Sequence, residues 1–272
     1  MLRLRDIFVV VAFCLVLRAV FMIALGSTDR IGNDYYIGLF FDAMMYVIMG
    51  GSFYWLLRRD ALNWFDLLGR NISVLGVLKS IGLAALLVAF TLGENAIEVL
   101  LTAQLNPAGA YKYWHFHEER IVVYPFWSIR VMLYVVVSVL LAPLLEEFVF
   151  RYLLLRSMSA KMSVLAAVTL GSVFFTALHF SSHYYLSTFI FSLALYFVYL
   201  KRKSLFDCVL THGAFNLFAF LQQNYFDFHW TRPPNAIASV SDWIPQLALF
   251  AVSSFILISL LVVHSHSPQQ KG

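Results

Sequence analysis

The sequence predicts an all-α integral membrane protein, a single polytopic domain of about eight transmembrane helices over residues 1–272. The first observation is composition, since 61% of the residues are hydrophobic and 12% are charged, whereas about a quarter are charged in a soluble domain. The second is that apolar runs of about 20 residues, long enough to cross a bilayer, recur along the chain. The third is that lipid admits only helices or closed barrels, and these runs are too long for barrel strands.

Eight apolar runs define the expected helices in chain order. The first run has the basic start of a signal peptide, but its apolar stretch is too long and Arg18 interrupts it, so we expect a retained helix. Residues 93–126 and 226–242 contain prolines and polar side chains and are expected to form the two longer loops. The predicted spans cover residues 7–25, 35–57, 72–91, 127–156, 162–180, 184–200, 205–221 and 243–263.

Alternate connections between these runs are rich in Lys and Arg. On one side lie Arg3, Arg5, Arg58, Arg59, Arg70, Arg156, Lys161, Lys201, Arg202 and Lys203. The opposite side holds Arg30, Lys112, Arg120 and Arg232, with Arg130 at a border. Basic loops face the cytoplasm, so we expect a multi-pass protein of the bacterial cytoplasmic membrane with both termini cytoplasmic. The net charge of +4 follows from this topology, and we expect no nucleic-acid partner.

Two adjacent carboxylates, Glu146 and Glu147, lie in an apolar helix and are followed by Arg151. Adjacent residues on a helix point about 100° apart, so both carboxylates cannot face one partner. Glu147 and Arg151 are four residues apart with the acid first, the favourable order for an ion pair. Glu146 is then left to face a different cavity, where a carboxylate can act as a general base. Pro143 removes a backbone hydrogen bond just upstream, which frees a carbonyl group and favours a kink.

Two further pairs of residues recur at four-residue spacing. Phe175 and His179 share one helix face, so the phenyl ring can orient and desolvate the imidazole. His212 and Asn216 likewise project side by side. Two neutral N–H donors that point to the same place in a dry site can stabilise a developing oxyanion. Each pair alone is also compatible with a structural role, such as hydrogen bonding between helices.

Together the three segments contain the parts needed for hydrolysis by an activated water molecule. Glu146 can serve as the base, and His179 can share its proton. His212 and Asn216 supply donors for the oxyanion. No serine in these segments is evidently paired with a base, and both cysteines lie outside them. This pattern favours activated water over a covalent nucleophile.

The same segments resemble the signatures of the CPBP family, which contains the CAAX proteases and bacteriocin-processing enzymes and is also called the Abi family. Its signatures are EExxxR, FxxxH and HxxxN, in that order on an eight-helix bundle. The corresponding residues of this chain are Glu146, Glu147, Arg151, Phe175, His179, His212 and Asn216. The resemblance covers about residues 131–220, which we expect to be the catalytic core.

This resemblance implies an intramembrane glutamic endopeptidase similar to the type II CAAX prenyl endopeptidases. In such an enzyme Glu146 and His179 activate the water, and His212 and Asn216 form the oxyanion hole. The residues implied to support the site are Glu147 and Arg151. The expected partners are membrane lipid and a membrane-associated or lipidated protein or peptide substrate.

Other functions remain open at the level of sequence. A zinc-dependent form of the same protease would use Glu146, His179, His183 and His212, since His179 and His183 are four residues apart; otherwise no cofactor is expected. A proton-coupled transporter also buries carboxylates and histidines, but the polar residues are concentrated in one half and no internal repeat is found. A non-catalytic immunity or partner-binding protein would not need the complete set of site residues.

The depth of the site along the helices is not obvious from the sequence. Glu146 comes late in one predicted span and His179 comes late in the next, antiparallel span, so simple counting puts them toward opposite membrane faces. We expect Glu146 to lie deeper than its span suggests, because its helix continues to about Arg156. The site is then predicted at mid-depth, in a water-accessible cavity between helices.

Overall fold

The computed structural model describes residues 4–26, 35–59, 73–106, 108, 125–179, 185–225 and 239–265. These residues form eight long helices and contain no β-strand, so the predicted all-α fold is confirmed. The helices are α1 (Leu4–Gly26), α2 (Tyr35–Arg59), α3 (Val74–Leu105), α4 (Ile129–Ser159), α5 (Val164–Leu178), α6 (Tyr185–Arg202), α7 (Leu205–Tyr225) and α8 (Ile244–Ser265), with a 3-10 turn, Val240–Trp243, before α8.

Length and composition make four helical stretches suitable for crossing a membrane. They are Val74–Leu105, Ile129–Ser159, Leu205–Gln222 and Val240–Leu260, and α5 is a shorter apolar helix. Large apolar side chains such as Leu105, Trp127 and Leu165 are strongly exposed on the surface. Soluble proteins rarely expose large contiguous apolar patches, whereas lipid solvates them. The chain is therefore an integral membrane protein.

Serine residues begin three of the helices. The hydroxyl oxygen of Ser73 accepts a hydrogen bond from the Gly76 amide at the start of α3. Ser128 and Ser163 do the same for α4 and α5. A serine at this position satisfies one of the amide groups that a helix start leaves unpaired. These starts are local properties of the sequence, and they fix where α4 and α5 enter the bundle.

Helix α3 is longer than predicted, because residues 93–105 continue the helix and do not form a loop. The residues that predicted a loop, among them Asn106 and Pro107, lie beyond this part of the chain, and Glu94 and Glu98 are one helical turn apart and compatible with a helix. Glu94 is buried and accepts a hydrogen bond from the Ser187 hydroxyl of α6 at 2.6 Å. A polar side chain with a buried partner does not terminate a helix. Most of the predicted loop beyond Leu105 lies outside the described residues, as do residues 226–238 of the second predicted loop over 226–242. The end of that second loop includes the start of the 3-10 turn Val240–Trp243.

Helix α4 is built from five consecutive segments of alternating winding. It is α-helical over Ile129–Tyr134, Ala142–Glu147 and Leu155–Ser159, and π-helical over Val135–Leu141 and Phe148–Leu154. Widened π turns leave carbonyl groups without their usual partners and occur often at functional sites. The Glu146–Glu147 pair lies at the end of the short α-helical segment between the two π segments.

Helix α4 also lies at the centre of the bundle. Its second half is almost wholly buried from Phe148 to Leu155 and forms the largest apolar cluster of the described residues. Around it, α3 packs against α7 and α8, and α5 packs against α6. Helix α3 can pack closely on α8 because Gly93 has no side chain. A Cβ at this position would lie only 2.6 Å from the Gln246 carbonyl oxygen. The site is therefore held by the most tightly packed part of the molecule.

The lengths of α4 and α5 explain why Glu146 and His179 lie at the same depth in the bundle. Glu146 lies at most about 20 Å before the end of α4, since 1.5 Å per residue is the rise of an α-helix and the π-helical segment Phe148–Leu154 is shorter for its length. Helix α5 has 15 residues, so His179 at its C-terminal end lies about 22 Å beyond the same connection. The two residues therefore reach the same level on adjacent antiparallel helices. α5 is too short to carry His179 to the opposite face.

Candidate active site

The carboxylate of Glu146 lies where α2, α4, α5 and α7 meet. Its Oε2 atom is 3.9 Å from Nε2 of His179 and 3.9 Å from Nε2 of His212. Its Oε1 atom accepts a hydrogen bond from the Tyr46 hydroxyl of α2 at 2.8 Å. Oε2 is buried and has no hydrogen-bond partner among the described residues. One oxygen of Glu146 is thus fixed by a donor, and the other faces two imidazole rings.

His179 is oriented by its own helix. Its Nδ1 atom is 2.7 Å from the Phe175 carbonyl oxygen, and a carbonyl oxygen can only accept a hydrogen bond. Nδ1 therefore carries a proton, and Nε2 faces Glu146. The Phe175 ring stacks on the imidazole with ring centroids 4.5 Å apart. The four-residue spacing thus brings Phe175 and His179 into contact as predicted, and it also supplies the carbonyl that sets the tautomer.

His212 is held between the two glutamates. The expectation that adjacent carboxylates cannot face one partner is therefore wrong, because the two nitrogens of one imidazole reach both of them. Its Nδ1 atom is 2.7 Å from Oε1 of Glu147, and the residue is buried against the edge of the Phe191 ring. An ionised carboxylate accepts hydrogen bonds and cannot donate them, so Nδ1 carries a proton. His212 can therefore donate from Nε2 only as an imidazolium ion. This differs from the neutral donor expected from the sequence, because that expectation did not include the bond to Glu147.

The predicted ion pair of Glu147 and Arg151 is present and fully buried. Oε2 of Glu147 lies 3.0 Å from Nε of Arg151, outside hydrogen-bonding geometry, so the contact is an ion pair without a formal hydrogen bond. Nη2 of Arg151 donates to the carbonyl and the hydroxyl oxygen of Ser192, each at 3.2 Å. The guanidinium also lies over the rings of Phe175 and Tyr196, at 4.9 and 4.7 Å. Such contacts stabilise a cation away from water.

Pro143 explains how α7 approaches α4 so closely. In the π-helical segment the donor for the Ser138 carbonyl would be residue 143, which as proline has no N–H. That carbonyl instead accepts a hydrogen bond from Nδ2 of Asn216 at 2.7 Å. The next carbonyl along α4, that of Val139, lies against Gly213, where a Cβ would be 2.6 Å from its oxygen. Asn216 thus bonds the carbonyl that lacks its donor because of Pro143, and Gly213 packs on the next carbonyl of the same segment.

The predicted residues are brought together unequally. Glu146, His179 and His212 surround one point, and Glu147, Arg151 and Phe175 support them. Asn216 is fixed to α4 through Ser138, and no hydrogen bond joins it to Glu146 or either imidazole within the described residues. His183 lies outside the described residues. Among those that are described, no group of three or more His, Cys, Asp or Glu has an arrangement suited to a metal ion.

A cavity of about 280 Å³ adjoins Glu146 and His179. Helices α4 and α5 contribute Val149, Phe150 and Leu178 to its wall. The contributions from α1 and α2 are Val11, Cys14, Asp42, Met45, Tyr46 and Met49. The lining is largely apolar with a few polar groups, which is typical of a site for a small part of a substrate.

Comparison with known proteins identifies the part of the chain that contains this arrangement. Residues 127–218 match the family model described as Rce1-like, type II CAAX prenyl endopeptidase Rce1-like. This segment is Rce1-like. The predicted family is thereby confirmed over about a third of the chain, from the start of α4 into α7. No curated protein and no solved structure matches the chain.

Some residues that contact the site were not predicted from the sequence. Ser192 lies within the Rce1-like segment, but a serine in an apolar helix gives no signal of a bond to Arg151. Tyr46 lies outside the segment, on α2, and belongs to no motif. Only the packing of α2 against α4 brings Tyr46 to Glu146. The two N-terminal helices therefore take part in a site whose recognisable signatures are all in the second half of the chain.

We predict that Arg151→Leu strongly destabilises the protein, because it leaves the buried carboxylate of Glu147 without its cation. Removing one member of a buried ion pair costs about 3–5 kcal/mol. Arg156→Leu is the matched control, since Arg156 is exposed one turn further along α4 and bonds only the Tyr152 hydroxyl among the described residues. Denaturant unfolding of both variants in detergent measures the difference. Equal midpoints would contradict the importance of the Arg151 ion pair.

We predict that Gly213→Ala separates α7 from α4, because the new Cβ would collide with a backbone oxygen, that of Val139. Overpacking of this kind costs about 1–3 kcal/mol. Gly82→Ala is the control, since a Cβ at Gly82 meets nothing within 4 Å. Alanine also stabilises a helix more than glycine does at an exposed position. Unfolding midpoints should fall for Gly213→Ala and stay the same or rise for Gly82→Ala. The opposite order would show that the close approach at Gly213 is unimportant.

Proposed function

We propose that the protein is an intramembrane endopeptidase that hydrolyses a peptide bond of a membrane-associated or lipidated protein or peptide. The observation that supports this most strongly is the position of one carboxylate oxygen, Oε2 of Glu146, at 3.9 Å from Nε2 of both His179 and His212. The family match of residues 127–218 supports a peptidase of the CAAX type. The same pocket brings together a carboxylate base, a second proton acceptor and a second imidazole as a candidate donor, which are the elements of acyl hydrolysis.

The distance between Glu146 and His179 suits a single bridging water molecule. At 3.9 Å the carboxylate oxygen and Nε2 are too far apart for a direct hydrogen bond. Because Nδ1 of His179 carries the proton, Nε2 of the neutral ring is an acceptor. A water molecule that donates to both acceptors presents its oxygen lone pairs to a substrate carbonyl. Glu146 takes the proton as the water attacks, and His179 shares it on the way to the leaving amine.

His212 and Asn216 are proposed to stabilise the oxyanion. In this proposal His212 acts as the imidazolium ion, with one N–H bonded to Glu147 and the other on the side of Glu146. Its Nε2–H can then donate to the negative oxygen of the tetrahedral intermediate. The Asn216 amide donates one hydrogen to Ser138 and retains a second for the substrate. Glu147 and Arg151 hold His212 in place without touching the substrate.

The surroundings of the site fit a substrate that arrives from the membrane. The adjoining cavity is lined mainly by apolar side chains of α1, α2, α4 and α5. A segment of peptide chain or a lipid group attached to it can enter without the penalty of exposing apolar surface to water. The basic connections favour eight spans with both termini cytoplasmic, and we propose the cytoplasmic membrane of a bacterium as the location. Residues of about 131–220, which contain the three signatures, are the proposed catalytic core.

Glu146→Gln tests the proposed base. The variant keeps the size of the side chain but cannot accept a proton, and the rate of hydrolysis should fall by about 10²–10⁴-fold. Glu98→Gln on α3 is the control, because it removes a carboxylate from another part of the bundle. The assay uses internally quenched peptides ending in a CAAX sequence, farnesylated and unmodified, with the protein in liposomes. Cleavage retained by Glu146→Gln would refute the assignment.

A comparison of membrane proteomes searches for the natural substrate. Cells that contain wild-type protein or Glu146→Gln are compared for an uncleaved precursor, which is expected only in the variant. Absence of any precursor and of any peptide cleavage would favour a non-catalytic partner-binding protein or a transporter.

Chelation distinguishes the zinc-dependent form of the same reaction. Bare Glu–His catalysis predicts that a chelator leaves the rate of peptide cleavage unchanged. Loss of activity on chelation and recovery with zinc would instead indicate that Glu146, His179 and His212 bind a metal, together with His183. Exposure to the chelator must be long enough for a tightly bound ion to dissociate. The same liposomes serve for both measurements.

A further inference from the structure

We infer that Tyr46 is a positioning residue that fixes the plane of the Glu146 carboxylate for catalysis. The inference rests on the proposed function of Glu146 as the base. It extends the active site to α2, which lies outside the Rce1-like segment. The observation that supports it is the hydrogen bond of 2.8 Å from the Tyr46 hydroxyl to Oε1 of Glu146.

A carboxylate at the end of a glutamate side chain is not fixed by its own rotamer. The last torsion of Glu is broad and twofold, so the carboxylate plane can turn away from a reactant. A half-turn exchanges two equivalent oxygens and changes nothing, whereas a quarter-turn points both oxygens away from the imidazoles. The Tyr46 bond prevents the quarter-turn, because it ties one oxygen to α2 while Oε2 faces His179 and His212.

The hydroxyl of Tyr46 is well suited to this role. A phenol stays protonated near neutral pH, so it donates a hydrogen bond without bringing a charge close to the base. A hydrogen bond to an ionised carboxylate is also stronger than one between neutral groups. Tyr46 and Glu146 both line the 280 Å³ cavity. The donor is therefore at the wall where the attacking water and the substrate carbonyl must meet.

Packing of α2 on α4 holds Tyr46 in position. The residues at 46, 50 and 53 lie on one face of α2, at the spacing of successive helical turns. A Cβ at Gly50 would lie 3.3 Å from a methyl group of Leu145, so the helices are close at that level. Phe53 is fully buried and meets the edge of the Phe148 ring, with centroids 5.8 Å apart. The contacts of α2 with Leu145 and Phe148 thus lie on either side of Glu146 along α4.

Tyr46→Phe tests the inference, because it removes the hydroxyl and keeps the ring. We expect kcat for the peptide substrate to fall by about 10- to 100-fold, the size of effect caused by misplacing a catalytic group by about 1 Å. KM should change by less than about twofold, since the hydroxyl bonds the base and not the substrate. The control is Tyr54→Phe, on the same helix, where the ring is half-exposed and its contact with Arg58 is kept.

Three results would overturn the inference. A kcat of Tyr46→Phe equal to that of Tyr54→Phe would mean that Glu146 needs no partner on α2. An increase in KM with unchanged kcat would make Tyr46 a substrate-binding residue. A lower unfolding midpoint that accounts for the lost activity would make its role structural, and the midpoint is therefore measured on the same samples.

Glu146→Gln, assayed in parallel, separates this inference from the proposed function. If Glu146→Gln is as active as wild type, or if wild-type protein is inactive, the proposed function fails and the role of Tyr46 fails with it. If Glu146→Gln is inactive and Tyr46→Phe matches Tyr54→Phe, only the role of Tyr46 is refuted. A fall in kcat for both Glu146→Gln and Tyr46→Phe, but not for Tyr54→Phe, supports both proposals.

Discussion

The buried chain of Arg151, Glu147 and His212 is the constraint on which the rest of the site depends. Glu147 binds the guanidinium through one oxygen and the imidazole through the other. Both carboxylate oxygens of Glu147 therefore already have partners, so Glu147 is not available as a base for the substrate. Because the next side chain on a helix points about 100° away, Glu146 is directed to the opposite side of His212. The order of two adjacent glutamates thus separates a structural carboxylate from a reactive one.

A single proline has a comparable effect on the other wall of the site. The missing N–H of Pro143 leaves the Ser138 carbonyl without its donor in the π-helical segment, within the membrane, where an unpaired carbonyl is costly. On α7, the Asn216 amide donates a hydrogen bond to the Ser138 carbonyl, and Gly213 has no side chain that would collide with the Val139 carbonyl. The HxxxN spacing therefore has a structural meaning besides any catalytic one. It lets α7 pack on the π-helical segment of α4 before Pro143, and this packing also brings His212 to Glu147.

The sequence predicts most of these contacts because they depend on local helical spacing. The four-residue intervals correctly predicted the Glu147–Arg151 ion pair and the Phe175–His179 stack. Contacts between helices were less predictable, and Tyr46 could not be distinguished from the other 13 tyrosines of the chain, which has 14 in total. The end of α3 was placed too early because the sequence does not show that Glu94 has a buried partner, Ser187, on α6. Hydropathy reports the average environment of a residue and not the partner it finds.

The convergence of Glu146, His179 and His212 is tested most directly by solid-state NMR in lipid bilayers. The measurement is ¹³C–¹⁵N dipolar recoupling between glutamate carboxyl carbons and histidine Nε2 atoms, with assignments from the difference between wild type and Glu146→Gln. Oxygen–nitrogen separations of 3.9 Å predict that one carboxyl carbon is close to two Nε2 atoms and that both couplings disappear in the variant. A spectrum in which Glu146→Gln removes neither coupling would contradict the proposed site.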